Sequence, residues 1–139
     1  MANVRKLTEE QKRKLRRVAG FTSASLFWYV PNQFKEKDEK GEYVFDKSLW
    51  MGFQLSPLTM FEYETLSRVK DQKDDEATET TLNILSQKIK SVKNFYDFNG
   101  NEIEFSGVEQ LPPMLITELF MALMYNAWLS DEELEGLNF

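Results

Sequence analysis

The segment that most constrains this chain lies near its C-terminal end, where residues 114–129 predict a helix with apolar side chains on nearly every side. Pro112 and Pro113 stand directly before it, and proline is favoured at the first position of a helix. A helix that is apolar all round has to be covered, either by its own domain or by another protein. Both arrangements stay open from the sequence, because a central helix can also leave one flank for a partner.

Composition narrows the chemistry that the chain can perform. It has 139 residues and contains neither cysteine nor histidine. Disulfide bonds, thiolate nucleophiles, cysteine zinc sites and catalysis by a histidine base are therefore excluded. Glu118 is the one acidic residue in the apolar helix, where it is either a buried catalytic acid or a hydrogen-bonded or exposed position. We predict a protein that is not an enzyme and needs no metal or cofactor.

Three helix starts carry a capping box, in which a Ser or Thr at the N-cap is followed three residues later by Glu or Gln. The three boxes are Thr8–Gln11, Thr59–Glu62 and Ser130–Glu133. The first predicts a helix from Thr8 to about Ala19. The second belongs to a helix that we expect to start at Ser56-Pro57, and the third opens a short terminal helix.

Strand signals occur at four places. Leu26–Val30 is rich in aromatic and β-branched residues, and Pro31 follows it. Tyr43–Phe45 and Leu49–Leu55 are the next candidates, and the alternation within Leu49–Leu55 predicts a half-buried strand. Asn99-Gly100 predicts a tight hairpin between 94–98 and 102–105.

The order of these elements indicates an α+β fold with a small antiparallel sheet or hairpins and about four to five helices, the C-terminal apolar helix being central. Residues 70–78 are predicted as a charged linker. Leu82, Leu85, Ile89 and Val92 follow at the spacing of a helix. We expect a basic arm over 1–20 and a single α+β domain over 21–139.

The basic arm stands out against an acidic chain, which has 17 basic and 23 acidic side chains in all. Its basic residues are Arg5, Lys6, Lys12, Arg13, Lys14, Arg16 and Arg17. Such an arm can bind nucleic acid or an acidic protein surface, or it can be a solvated helix face. No aromatic residue interleaves with these charges, so bases would find no stacking platform there. Nucleic-acid binding is therefore the less favoured alternative.

Two acidic segments resemble cation sites only in part. A calcium loop that begins at Asp97 would need Gly at its sixth position and Glu at its twelfth, where this chain has Glu102 and Val108. The acidic run within 71–79 could hold magnesium, but no phosphate-binding motif accompanies it. We predict a hairpin turn and a solvated linker at these two places.

The apolar helix and the last residue supply the candidate partner-binding residues. Methionine-rich faces adapt to varied partners, and aromatic side chains are frequent interface anchors. The predicted set is Leu115, Leu119, Phe120, Leu123, Met124, Trp128 and Phe139. These residues predict a protein that acts by contact with other proteins, with a homo-oligomer as one form of that contact.

Two segments resemble small assembly proteins of tailed bacteriophages, with the tail assembly chaperones as the nearest group. One is Phe53-Gln54-Leu55-Ser56-Pro57-Leu58-Thr59; the other combines Leu111-Pro112, Glu118-Leu119 and Leu129-Ser130-Asp131-Glu132-Glu133. The resemblance implies a non-enzymatic protein that binds tail-tube protein, tape-measure protein or neighbouring virion subunits during assembly. It equally allows a structural component of the virion, such as a connector, tail or capsid-associated protein.

The sequence also predicts where the chain works. The apolar helix is shorter than the roughly 20 residues that span a bilayer, and Glu118 interrupts it. No apolar segment of a signal peptide follows the charged start of the sequence. Together with the resemblance, these features predict a protein of the host cytoplasm that is either released or incorporated in the virion.

Overall fold

The computed structural model describes residues 6–15, 25–127, 129–137 and 139, without the side chains of Glu9, Arg13 and Asp131. These ranges form a three-stranded antiparallel sheet and five α-helices, which confirms the α+β class. The strands are β1 (Phe27–Tyr29), β2 (Gly52–Leu55) and β3 (Ile89–Lys93). The helices are α1 (Glu9–Leu15), α2 (Met60–Ser67), α3 (Asp74–Lys88), α4 (Pro113–Tyr125) and α5 (Asp131–Leu134).

β2 is the central strand, with Phe53 opposite Tyr29 of β1 and opposite Val92 of β3. Its two faces are both covered, because Trp50 and Phe53 are each 0% exposed although they project to different sides. The prediction of a half-buried strand was therefore wrong. Aromatic residues just before and within the strand fill both layers, so alternation with polar residues does not arise.

A hydrophobic core lies on each side of the sheet. The main core packs Phe53 and Leu55 against α3 and α4, where Leu85, Leu119 and Leu123 are almost completely buried. The second core is smaller and consists of Val30, Trp50 and Leu129, with Trp28, Leu137 and Phe139 packed against it. The polypeptide after α4 thus covers the face of the sheet that α4 does not reach.

All three capping boxes are formed, each by a reciprocal pair of hydrogen bonds. Thr59 and Glu62 exchange bonds of 2.9 and 3.2 Å, and Thr8 with Gln11 and Ser130 with Glu133 show the same pattern. The second helix starts at Met60 rather than at Ser56-Pro57, because Thr59 takes the N-cap position. The predicted end of the first helix near Ala19 lies outside the described residues.

Two predictions between α2 and β3 were wrong. The predicted linker 70–78 contains a 3₁₀ turn and the start of α3, whose first turn holds Asp74, Asp75 and Glu76. Carboxylates stabilise the N-terminal end of a helix, so the acidic run is a helix start. Ile89 and Val92 lie in β3 and not in a helix, because α3 ends at Lys88 and their β-branched side chains pack against β2.

The remaining predicted elements appear in shortened form. Tyr43 forms only a single bridge, to Lys37, so Tyr43–Phe45 is not a strand. The turn at Asn99-Gly100 closes a hairpin with one bridge, between Tyr96 and Glu102. The apolar helix begins at Pro113, within the proline pair that was expected to open it. It ends at Tyr125 and not at Leu129, because Asn126 takes a left-handed conformation with φ 49°.

Candidate contact surfaces

The inner face of α4 belongs to the main core. Leu119, Ala122 and Leu123 are between 0% and 3% exposed, and this face of α4 packs against α3. The two leucines were predicted to bind a partner, but in this fold no partner can reach them. Leu115, Phe120 and Met124 are half-buried and pack on the edge of the same core, so they offer only part of their surface.

The outer face of α4 carries an apolar stripe that the sequence prediction missed. Met114, Met121 and Tyr125 are 87%, 44% and 74% exposed. Their spacing of seven and then four residues places them along one side of the helix, over a length of about 16 Å. We call these three residues the α4 stripe. The sequence contains a signal for it, because Leu119, Ala122 and Leu123 mark the buried face of the helix and leave the stripe on the exposed face.

Phe139, the last predicted partner-binding residue, packs against other residues of its own chain. Its ring packs on Trp28, with a centroid distance of 4.8 Å, and covers the α-carbon of Gly52. A β-carbon at position 52 would overlap this ring. Phe139 is half-buried in the second core and thus holds the C-terminal segment on the sheet. Trp128, the other aromatic residue of the predicted set, lies outside the described residues.

Glu118 is a hydrogen-bonded residue that joins α4 to the sheet. Its Oε2 atom accepts a bond of 2.7 Å from the Tyr29 hydroxyl and one of 3.0 Å from the backbone N–H of Asn32. Burial of Tyr29, together with the bond to the Glu118 carboxylate, raises the pKa of the tyrosine far above its ordinary value. The three groups form a fixed structural contact between α4, β1 and the turn that follows β1.

A second exposed apolar group lies at the start of α2. Met60, Phe61 and Tyr63 are 75%, 79% and 45% exposed, while Leu66 is the buried residue of this helix. The opposite side of α2 is fixed by an ion pair between Glu62 and Lys88 at the end of α3. Met60, Phe61 and Tyr63, the α2 group, are an exposed apolar surface in addition to the α4 stripe.

The basic arm is described only in part. Lys6, Lys12 and Lys14 are exposed, and the Lys14 ammonium lies 3.7 Å from the carboxylate of Glu10 one turn earlier. The ranges that the structure describes do not include Arg5, Arg16 and Arg17, nor the side chain of Arg13. No aromatic platform for nucleic-acid bases accompanies the lysines within α1.

The acidic segments bind backbone groups. One carboxylate oxygen of Asp97 accepts bonds of 2.9 Å from the N–H groups of Asn99 and Asn101, as expected of a turn residue. Within the described residues, no group of three or more acidic side chains is arranged to hold a metal ion. A search of the same residues for a helix long and apolar enough to cross a membrane also finds none.

The two segments on which the expected phage resemblance rests have structural roles in this fold. Phe53 and Leu55 are buried in β2, Thr59 caps α2, and Ser130 with Glu133 caps α5. Comparison of the chain with protein-family models, with curated proteins and with solved structures finds no match.

Proposed function

We propose that the protein acts by protein–protein contact and that the α4 stripe is its principal contact surface. The observation that carries the proposal is the exposure of Met114, Met121 and Tyr125 along one side of a rigid, core-packed helix. Exposed apolar side chains grouped on one face favour association, and methionine and tyrosine are well suited to it. Because leucines anchor the inner face of the same helix, binding through the stripe does not have to order the helix backbone.

The partner that we propose is a structural protein of a tailed bacteriophage, bound during virion assembly. This part of the proposal comes from the two segments that resemble tail assembly chaperones. The tail-tube protein, the tape-measure protein and neighbouring virion subunits are the candidates that the resemblance implies.

A non-enzymatic role agrees with the chemistry of the described residues. Glu118, the acid that the sequence singles out, is occupied by two hydrogen bonds that fix α4 in place. The chain supplies no cysteine or histidine for nucleophilic or general-base catalysis. The exposed apolar side chains therefore support a role in protein–protein contact better than a role in catalysis.

The experiment is coexpression with the tail-tube and tape-measure proteins of the genome that encodes the chain. We expect one of them to copurify with the wild-type chain, and the double variant Met121→Ser/Tyr125→Ser to reduce the complex at least tenfold. Val44→Ser is the matched control, because Val44 is 61% exposed but lies outside the stripe. A complex that survives the double variant unchanged, or no complex with either protein, would count against the proposal. A complex retained in purified particles would identify a structural component.

A further inference from the structure

The two edge strands of the sheet differ in their backbone hydrogen bonds to the rest of the chain. At the β1 edge, the N–H of Leu129 donates to the carbonyl of Trp28 over 3.2 Å, so the C-terminal segment closes that side. At the β3 edge, the Ile89 N–H still donates to the Leu85 carbonyl of α3, whereas residues 90–93 make no backbone hydrogen bond other than those with β2, as far as the described ranges extend. An edge strand directs every second peptide group outward, so β3 retains unpaired donors and acceptors.

A groove of about 370 Å³ runs along β3 and keeps this edge accessible. Its other wall is the extended segment 102–105, which returns from the hairpin tip. The hairpin is joined near its tip, where the Ile103 N–H donates to the Phe95 carbonyl over 2.8 Å. Asn94, with φ 54°, turns the chain between β3 and the hairpin, and the two walls separate there. The groove is therefore open beside the unpaired edge.

Both signs of charge line this groove. Lys90 and Lys93 are exposed on β3, and Glu102 and Glu104 are exposed on the opposite wall. None of these four side chains forms an ion pair with another described residue. Because positive and negative side chains lie next to each other on this surface, each can pair with the opposite charge on a second copy related by a two-fold rotation. Such self-complementarity is the requirement for a two-fold symmetric contact.

We propose that β3 of a second copy of this chain enters the groove, antiparallel to the first β3 and centred on Ser91, so that two sheets become one. Lysines on an edge strand ordinarily oppose such pairing. In this register, however, Lys90 lies opposite Val92 and Lys93 opposite Ile89 of the second copy, so no two lysines face each other. Lys90 and Lys93 project to opposite faces of the strand, so the glutamates of each wall face one lysine of the incoming strand. The site is separate from the α4 stripe and does not depend on the proposed function.

The pairing can be tested by a disulfide, because the chain has no cysteine of its own. Residues directly opposite in an antiparallel pair have α-carbons roughly 4.5–5.5 Å apart, within the range that a disulfide spans. We expect Ser91→Cys to form a covalent dimer under mild oxidation at concentrations where light scattering gives the mass of a dimer for the wild-type chain. Ser86→Cys, at an exposed position of α3, is the control and should stay monomeric. A wild-type monomer at all concentrations, or equal cross-linking of both variants, would overturn the proposal.

Charge reversal provides a second measurement that does not need a disulfide. Lys90→Glu/Lys93→Glu and Glu102→Lys/Glu104→Lys should each weaken dimerisation about tenfold, since each puts like charges across the contact. Combining all four changes should restore dimerisation to near the wild-type level, because the charges again alternate. Unchanged dimerisation in both double variants would contradict the proposed pairing. The variant Met121→Ser/Tyr125→Ser should leave this dimer intact, so the two proposals fail separately.

Discussion

The ring of Phe139 lies on the α-carbon of Gly52, so the last residue of the sequence occupies the space that a side chain would take on the central strand. Gly52 faces the second core, and the absence of a β-carbon lets the aromatic ring approach the backbone directly. The same ring packs on Trp28, which fixes its position from the neighbouring strand. Gly52 and Phe139 are thus in direct packing contact although they are far apart in the sequence.

We predict that Gly52→Ala and Phe139→Ala are strongly non-additive. Each alone should lower the free energy of unfolding by about 1–3 kcal/mol, the first by overpacking and the second by lost burial. In the double variant the new methyl group occupies the space that the ring vacates, so the combined loss should be smaller than the sum. Urea denaturation of the four proteins measures this coupling. Gly41→Ala is strained by the positive φ of residue 41 but lies away from the ring, so its effect should simply add to that of Phe139→Ala. Strict additivity would mean that the ring does not lie on Gly52 in solution.

Truncating side chains on the two sides of α4 should change the free energy of unfolding by very different amounts. Leu119→Ala and Leu123→Ala remove fully buried side chains, and we predict losses of about 2–5 kcal/mol in the free energy of unfolding. Met114→Ser and Met121→Ser remove exposed side chains and should change it by less than about 0.5 kcal/mol. Thermal and denaturant unfolding of the four variants provides the comparison. A large destabilisation by Met121→Ser would show that the stripe is part of the core.

The bond between Tyr29 and Glu118 predicts a loss of stability at alkaline pH. Burial, and then the hydrogen bond to Glu118, raises the pKa of Tyr29 above its ordinary value of 10. In the unfolded chain this tyrosine loses its proton near pH 10, while in the folded protein it keeps it. The unfolded state then binds fewer protons, so the free energy of unfolding falls as the pH rises above about 10.

Tyr29→Phe should remove part of this alkaline slope while costing about 1–3 kcal/mol near neutral pH, because Glu118 loses one of its two donors. Tyr63→Phe, at an exposed position of α2, is the control and should keep the wild-type slope. Urea denaturation at about pH 8, 9, 10 and 11 measures both effects. An identical alkaline slope for the wild-type and Tyr29→Phe proteins would argue against the bond.

Local patterns in the sequence predicted local structure well. The capping boxes at Thr8, Thr59 and Ser130 depend on residues three positions apart, and all three form as predicted. The proline start of α4 and the turn at Asn99-Gly100 are equally local, since each follows from the backbone preferences of one or two residues. These features gave the fold class and most helix starts.

Features that depend on distant residues were not predictable in the same way. Ile89 and Val92 fit a helical spacing, and only the neighbouring strand β2 decides that they lie in β3. The position of Phe139 on Gly52 joins two segments that no sequence pattern relates. For the same reason the predicted partner-binding set included Leu119 and Leu123, because the side of α4 that faces the core is set by the sheet and α3.

The contact that holds α5 should make the protein sensitive to acid. The carboxylate of Glu133 lies 3.0 Å from the Lys35 ammonium, and its other oxygen accepts a bond of 3.1 Å from the Ser130 N–H. Burial alone would raise the pKa of Glu133, but the hydrogen bonds from Lys35 and Ser130 outweigh it and lower the pKa below its ordinary value of 4.5. The carboxylate therefore stabilises the fold above about pH 4.5, and this contribution is lost as the pH falls through the lowered pKa.

Glu133→Gln keeps an acceptor for the Ser130 N–H but removes the charge that attracts Lys35. We predict that it lowers the free energy of unfolding by about 1 kcal/mol at pH 7, as expected of a partly buried ion pair, and by progressively less below about pH 4.5. Lys35→Met should reproduce the loss at pH 7, and the double variant should lose little more than either single one because both remove the same contact. Glu39→Gln, in an exposed loop, is the control and should leave stability unchanged. Denaturation curves for the five proteins at pH 7 and under acid conditions test this prediction. If wild type and Glu133→Gln differed by the same free energy of unfolding at every pH, the ion pair could not be the source of the difference.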